Sequence, residues 1–442
     1  MVTESLFKFV TLFLSLTRGV QPVEFMVTGP VVRVELRLDG NPAAEINGPP
    51  WKAAVNLGAA FAPHELAATA FDTAGHRLGS ISQFINLPRP RADLEVLVER
   101  DSGGRPGRVR LAWKSALPST VLQAKLTVDG KPIAVGPDRT ADLPSLDLRQ
   151  AHLLRAEVVF SEGNTARKEI ALGGEYMDRS QAELTAVPVV LRERASLPQL
   201  AELQDAFLAR AKPVRVAAVE ESAATMVIVV GAEVRPRWTN LLAEYWKSRS
   251  RKQFVDKDET GRQTGTDRLV SVEPVPKSVT RDAGEIVTVF PTYTDSQASR
   301  YSFLNSIARY GFAPLFAEDE RFAEAVAIAG LDAVDGNQRR AVIAVASLYD
   351  LASSARLAAP VRGYLRTLGV PFVLWTPDNE LAKRYNGPWG TVENLSSTRS
   401  FVKADITLRE SIERQRIIWV EGRYLPQDIE LARSDLGFSL AR

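Results

Sequence analysis

Arg235-Pro236-Arg237-Trp238 is the stretch of this chain whose residue types and spacing best suggest chemistry. Guanidinium groups match carboxylates through two parallel hydrogen bonds, and arginine and tryptophan are enriched where proteins grip one another. The chemistry on offer is recognition of a carboxylate or an acidic surface. The competing reading puts Trp238 in the core at a helix start and leaves the arginines in solvent. Catalytic groups are scarce. The 442 residues include no cysteine and three histidines, His64, His76 and His152, all in the first 152 positions. Thiolate chemistry is excluded, and a histidine triad or zinc site would have to be built in that first third. No Gly-x-Ser-x-Gly elbow, phosphate loop, dinucleotide fingerprint or His-Glu-x-x-His occurs. Gly103-Gly104-Arg105-Pro106-Gly107 reads as a hairpin tip, because Pro106 lacks the N–H that an anion nest needs. Asp256 and Asp258 fall in the polar stretch 250–266, which reads as a mobile loop carrying a solvated charge run.

The elements that must position these residues follow from pattern. Hydrophobic residues at 45% and charged residues at 24% describe a globular chain, and its length suggests about three domains. The 55 basic and 53 acidic side chains nearly cancel, so no basic stripe marks a nucleic-acid partner. An apolar run, Phe9 to Leu16, follows Lys8. It is signal-peptide length and too short to span a bilayer, so residues 1–22 read as a possible export signal, with a buried first strand as the alternative. Nothing else in the chain is long and apolar enough for an integral membrane span.

From Val23 to about Ser180, short runs alternate in period two between Gly, Pro, Asn and Asp, the pattern of half-buried antiparallel strands. Leu36-Arg37-Leu38-Asp39-Gly40-Asn41-Pro42 recurs 90 residues later as Leu126-Thr127-Val128-Asp129-Gly130-Lys131-Pro132. Asp-Gly suits a tight hairpin, since both residues tolerate positive φ. His64-Glu65-Leu66 and His152-Leu153-Leu154 lead into later strands in each copy. With Gly48-Pro49-Pro50-Trp51 and the Phe71-to-Gly75 turn, the first copy resembles a bacterial immunoglobulin-like module, and the second is a weaker copy. Two all-β sandwiches, 23–88 and 91–174, are expected, joined at Pro88 to Arg91.

After Glu175, helix-length amphipathic runs alternate with short apolar runs, the grammar of a largely parallel sheet covered by helices. The strand candidates are Met226–Val230, Asp267–Val272, Glu285–Phe290, Ala341–Ala346 and Val370–Trp375, with helices from Arg237 and from Ala358 to Leu368. With Gly311-Phe312-Ala313-Pro314-Leu315-Phe316 before a helix, this order resembles the von Willebrand factor A domain, and specifically bacterial VWFA-related proteins with a short β prelude. The resemblance spans roughly Thr185 to Ala432, with a prelude at 185–220 and a doubly wound α/β domain at 221–432. It implies a divalent-metal site at the carboxyl ends of the strands. The aligned positions are Gly231, Glu233, Arg235, Ala313 and Ser347, and none carries the family's residue. Glu233 or Asp350 could each restore one ligand. The expectation is therefore a degenerate site with no metal and no cofactor, in a non-catalytic binding or scaffold protein. It would be secreted or periplasmic, with the cytoplasm as alternative, and would meet a protein partner through Arg235, Arg237 and Trp238. A metal-dependent adhesion domain with shifted ligands and a hydrolase are the rival readings.

Overall fold

The computed structural model describes residues 6–13, 15–88, 92–115, 120–161, 165–174, 183–192, 199–234, 237–238, 240–241, 243–244, 268–280, 286–297, 321–433 and 435–441. Strand-forming alternation in the first half yields two sandwiches of the same plan. In the first, Phe7–Phe9, Val20–Val27 and Lys52–Asn56 make a three-stranded sheet. It faces a four-stranded one ordered Asn41–Ile46, Arg33–Leu38, His64–Phe71, Arg77–Ile85. The second repeats three strands (Thr140–Asp142, Pro106–Ser115, Ala92–Arg100) against four (Lys131–Ile133, Val121–Val128, His152–Phe160, Thr165–Leu172).

The repeated turns sit in equivalent hairpins. Asp39 and Gly40 have φ of 52° and 80°, Asp129 and Gly130 of 49° and 75°, the left-handed pair a two-residue hairpin needs. Each Asp then binds the histidine that opens the strand paired beside its own, with two strands between them in the chain: His64 Nδ1 to Asp39 Oδ2 and His152 Nδ1 to Asp129 Oδ2 are both 2.7 Å. The other carboxylate oxygen accepts the following backbone N–H, Glu65 or Leu153, at 2.9 Å in both copies. Two of the three histidines thus pin turns.

The first sandwich begins earlier than Val23. Phe7–Phe9 pairs with Phe25–Val27, and Phe7 and Phe13 are buried in the sandwich core. Of the apolar run that begins at Phe9, Phe9 ends that strand and Phe13 is buried in the same core, while Val10 and Leu12 are exposed. Among the described residues no helix is long and apolar enough to cross a membrane.

The expected prelude is half of a third β unit whose other half comes from the far end of the chain. Leu184–Leu191 pairs antiparallel with Gln415–Glu421 (Val187 opposite Ile418) and with Phe438–Leu440, while Val216–Glu220 lines the other edge of Gln415–Glu421. A small sheet of Phe207–Ala209, Lys212–Val214 and Ile429–Leu431 closes it. The unit has its own core around Val189, Phe207, Ile418 and Phe438. The α/β domain therefore does not run to Ala432. It is an insertion between Glu220 and Gln415.

That domain holds a six-stranded sheet: β1 (Ala224–Val230), β2 (Arg268–Glu273), β3 (Thr292–Gln297), β4 (Arg339–Val345), β5 (Phe372–Thr376) and β6 (Glu393–Asn394). The order is 3-2-1-4-5-6, parallel except for β3. β1 and β4 are buried along their whole length, as strands covered on both faces must be. α1 (Phe322–Val334) and α3 (Ala355–Thr367) cover one face. α5 (Thr398–Glu413) covers the other, together with Trp238. The expected strand at Glu285–Phe290 is instead half of a separate hairpin, Lys277–Thr280 with Ile286–Val289.

The units are packed on one another. Phe61 of the first sandwich enters the α/β core beside Tyr364 of α3, whose hydroxyl donates to Asn86 O at 2.8 Å. Arg155 of the second sandwich pairs with Glu220 at 3.0 Å and Glu169 at 3.4 Å, and donates to Gly336 O. Leu153 packs with Ile417 and Trp419 of the third unit.

Candidate functional site

Strand order places a crevice where β1 and β4 diverge to opposite sides, outside their carboxyl ends. This is the switch point at which doubly wound sheets bind. Gly231 leaves β1 there, its N–H bonded to Val345 O at 2.9 Å, and Ser347 leaves β4. Ser347 caps α2 (Leu348–Ser353): its Oγ accepts Asp350 N at 3.2 Å, and Asp350 Oδ2 accepts Ser347 N at 2.6 Å. This reciprocal box satisfies helix-start donors that would otherwise be orphaned. Ser347 Oγ also donates to Glu233 Oε2 at 3.3 Å, joining the two loops.

Gly231 stands against a carboxylate. A Cβ built on it would lie 2.8 Å from Asp350 Oδ1 and nearer still to Oδ2. The carboxylate expected from the β1 loop is delivered across the switch point from α2, and glycine is the residue that leaves it room. Asp350 is fully buried. This donor set does not fit a hard divalent cation, which wants about six oxygens in near-octahedral array. Asp350 and Ser347 are engaged in the cap and Glu233 is exposed. Among the described residues no three His, Cys, Asp or Glu side chains gather.

Of the residues expected to face a partner, Arg237 is exposed and Trp238 is not. Arg237 is 67% exposed, with Nη1 3.4 Å from Asp378 Oδ2. Asp378 in turn caps α4 (Asn379–Arg384), accepting Leu381 N at 3.1 Å and Glu380 N at 2.9 Å. The Leu381 N–H, above all, holds its carboxyl below the usual carboxylate range, with Arg237 adding to this and burial opposing it. Trp238, in contrast, is buried. It packs edge-on against Phe401 at 5.7 Å and near Trp375 at 6.3 Å, because the helical backbone turns it onto the sheet. Arg235, Ala313, Asp256 and Asp258 lie outside the described residues. Two exposed apolar residues at this end of the sheet were not singled out from the sequence. Leu348 and Tyr349, the first turn of α2, are 61% and 48% exposed at the mouth of the crevice. Their signal was present: two apolar residues directly after a cap serine, on a helix too short to bury both.

No protein-family model matches the chain, and no curated protein matches it. Among solved structures it is similar to fibronectin(III)-like modules of Clostridium thermocellum CbhA, at 10% identity and TM-score 0.16, over 38% of this chain and 95% of that one. It is similar to the central fibronectin-III array of a RIM-binding protein, at 10% identity and TM-score 0.18, over 44% and 80%. A third likeness, to a bacterial ice-binding adhesin, has 15% identity and TM-score 0.15, over 47% and 71%. At TM-scores this low the likenesses carry no inference about fold or activity.

Proposed function

We propose that the protein is a non-catalytic binding scaffold in which two immunoglobulin-like modules and a third β unit hold a von Willebrand factor A-like domain. That domain would present its switch-point crevice to a protein partner. The observation that carries this is that exposed apolar and charged groups stand on the loops at one end of the sheet: Leu348 and Tyr349 directly after Ser347, which bonds Glu233, and Arg237 paired with Asp378. Tyrosine and arginine at a concave strand end are the composition of interface anchors. Support for a non-catalytic reading comes from how the reactive groups are used. His64 and His152 pin turns, and Ser347 and Asp350 cap a helix. Support for the A-type fold comes from the 3-2-1-4-5-6 doubly wound sheet. A place outside the cytoplasm belongs to the same reading and is checked by fractionating the native host.

The test is photo-crosslinking in the native host from a probe at Glu233, comparing wild type with the double variant Arg237→Ala, Tyr349→Ala. A partner captured by wild type should be lost at least about thirtyfold by the variant, with unfolding unchanged. Equal capture by both would place the interface on another face.

A further inference from the structure

At the opposite end of the sheet, a cleft of about 330 Å³ opens where all four units meet. Its apolar wall includes Leu184, Val187 and Pro188 of the third unit, Leu368 after α3, and Leu440. Five charged residues line it: Arg167, Glu169, Asp335, Arg340 and Arg423. Four of them are matched. Arg167 stands 2.7 Å from Glu157 and 3.5 Å from Asp335, which also meets Arg268 at 3.5 Å. Glu169 lies 3.4 Å from Arg155. Arg423 lies 3.7 Å from Glu65 and stacks over the Phe84 ring.

Arg340 is the exception. It is 3% exposed, on the second residue of β4, and strand alternation gives it the same face as Val342 and Ala344, toward α1 and α3. Among the described residues no carboxylate pairs with its guanidinium and no acceptor meets its Nε. Burial alone pulls it down to about 10, so it keeps its charge at neutral pH. Buried charges are ordinarily paired, and water filling the cleft would hydrate this cation without neutralising it.

We propose that the junction cleft binds a small monocarboxylate with an apolar body, its carboxylate gripped by Arg340 and its hydrocarbon laid along the Leu184–Leu440 wall. One uncompensated positive charge calls for one negative charge, and a dianion would set its second charge against Glu169 and Asp335. A guanidinium matches a carboxylate through two parallel hydrogen bonds, and the volume falls at the small end of ligand sites. Such a ligand would bridge the α/β domain and the third unit.

The experiment is thermal unfolding and calorimetric titration of the full chain with acetate, hexanoate and benzoate, against hexanol and inorganic phosphate. Hexanoate or benzoate should raise the melting temperature and give a saturable heat, acetate should bind more weakly, and hexanol and phosphate should do neither. Arg340→Met should weaken the carboxylate at least about thirtyfold without lowering the melting temperature of the free protein. Leu440→Trp, which fills the apolar end and leaves the guanidinium, should abolish binding and serves if Arg340→Met does not fold. No carboxylate response, an equal response in the variants, or binding of phosphate instead would overturn the proposal.

Discussion

The two ends of the parallel sheet differ in where they keep their arginines. At the carboxyl end Glu233, Arg237 and Asp378 stand at the surface, while two carboxylates are buried, Asp350 at a helix start and Glu273 at the end of β2. At the amino end, where the β units dock, arginines and carboxylates go under together: Arg155, Arg340 and Glu169 are each about nine-tenths buried or more. The first arrangement leaves a surface whose residues can change without disturbing the fold. The second makes the joint between units depend on charges that no longer reach water, so that specificity of docking and stability are carried by the same side chains.

The sharpest way to break the contrast is Arg155→Ala. It would leave Glu169 and Glu220 buried without their shared cation, a loss of about 3–5 kcal/mol in chemical denaturation. Trp419, whose indole N–H donates to Glu220 at 3.1 Å, offers a local fluorescence reporter. A loss under about 1 kcal/mol would mean that water reaches this end too. A smaller effect is expected at the carboxyl end from Gly231→Ala. The added methyl meets a buried carboxylate and should cost about 1–3 kcal/mol, with Asp350→Ala in the same chain relieving the clash. Additive losses would show that Asp350 does not occupy that space.

The gentlest test is pH, because the two ends should respond with opposite sign. Burial raises Glu169 above its ordinary 4.5, against the pull of Arg155 and Arg167. The folded state therefore holds that proton more tightly, and stability falls as pH rises from about 4.5 through the raised value. Asp378 is lowered from 3.8, so its contribution is full above 3.8 and is lost as pH falls through the depressed value. Glu169→Gln should flatten the first slope and Asp378→Asn the second. A single slope that neither variant alters would remove both assignments.

What the sequence showed was local. The Asp39-Gly40 and Asp129-Gly130 hairpins are written in residues that tolerate positive φ, and the same spacing repeats in both copies. The crevice at Gly231 and Ser347 was legible because strand ends mark where such sheets bind. What stayed hidden was non-local. Nothing near Val187 announces Ile418 as its neighbour, so the third β unit was read as a prelude and its C-terminal half as part of the α/β domain. Gly231 looked like a lost ligand because the carboxylate filling its place comes from Asp350, 119 positions on. Trp238 looked like an anchor because composition does not say which way a helix faces.

The insertion of the α/β domain between neighbouring strands also sets how the molecule would bear tension. Val216–Glu220 leads into the domain, and Gln415–Glu421, its paired neighbour, leads out. A pull entering at Leu184 and leaving at Leu440 meets antiparallel strands loaded from the same direction, with Leu440 opposite Val189. Such pairs unzip one rung at a time instead of shearing together. Pulled in this way, the third unit would open from its C-terminal strand inward.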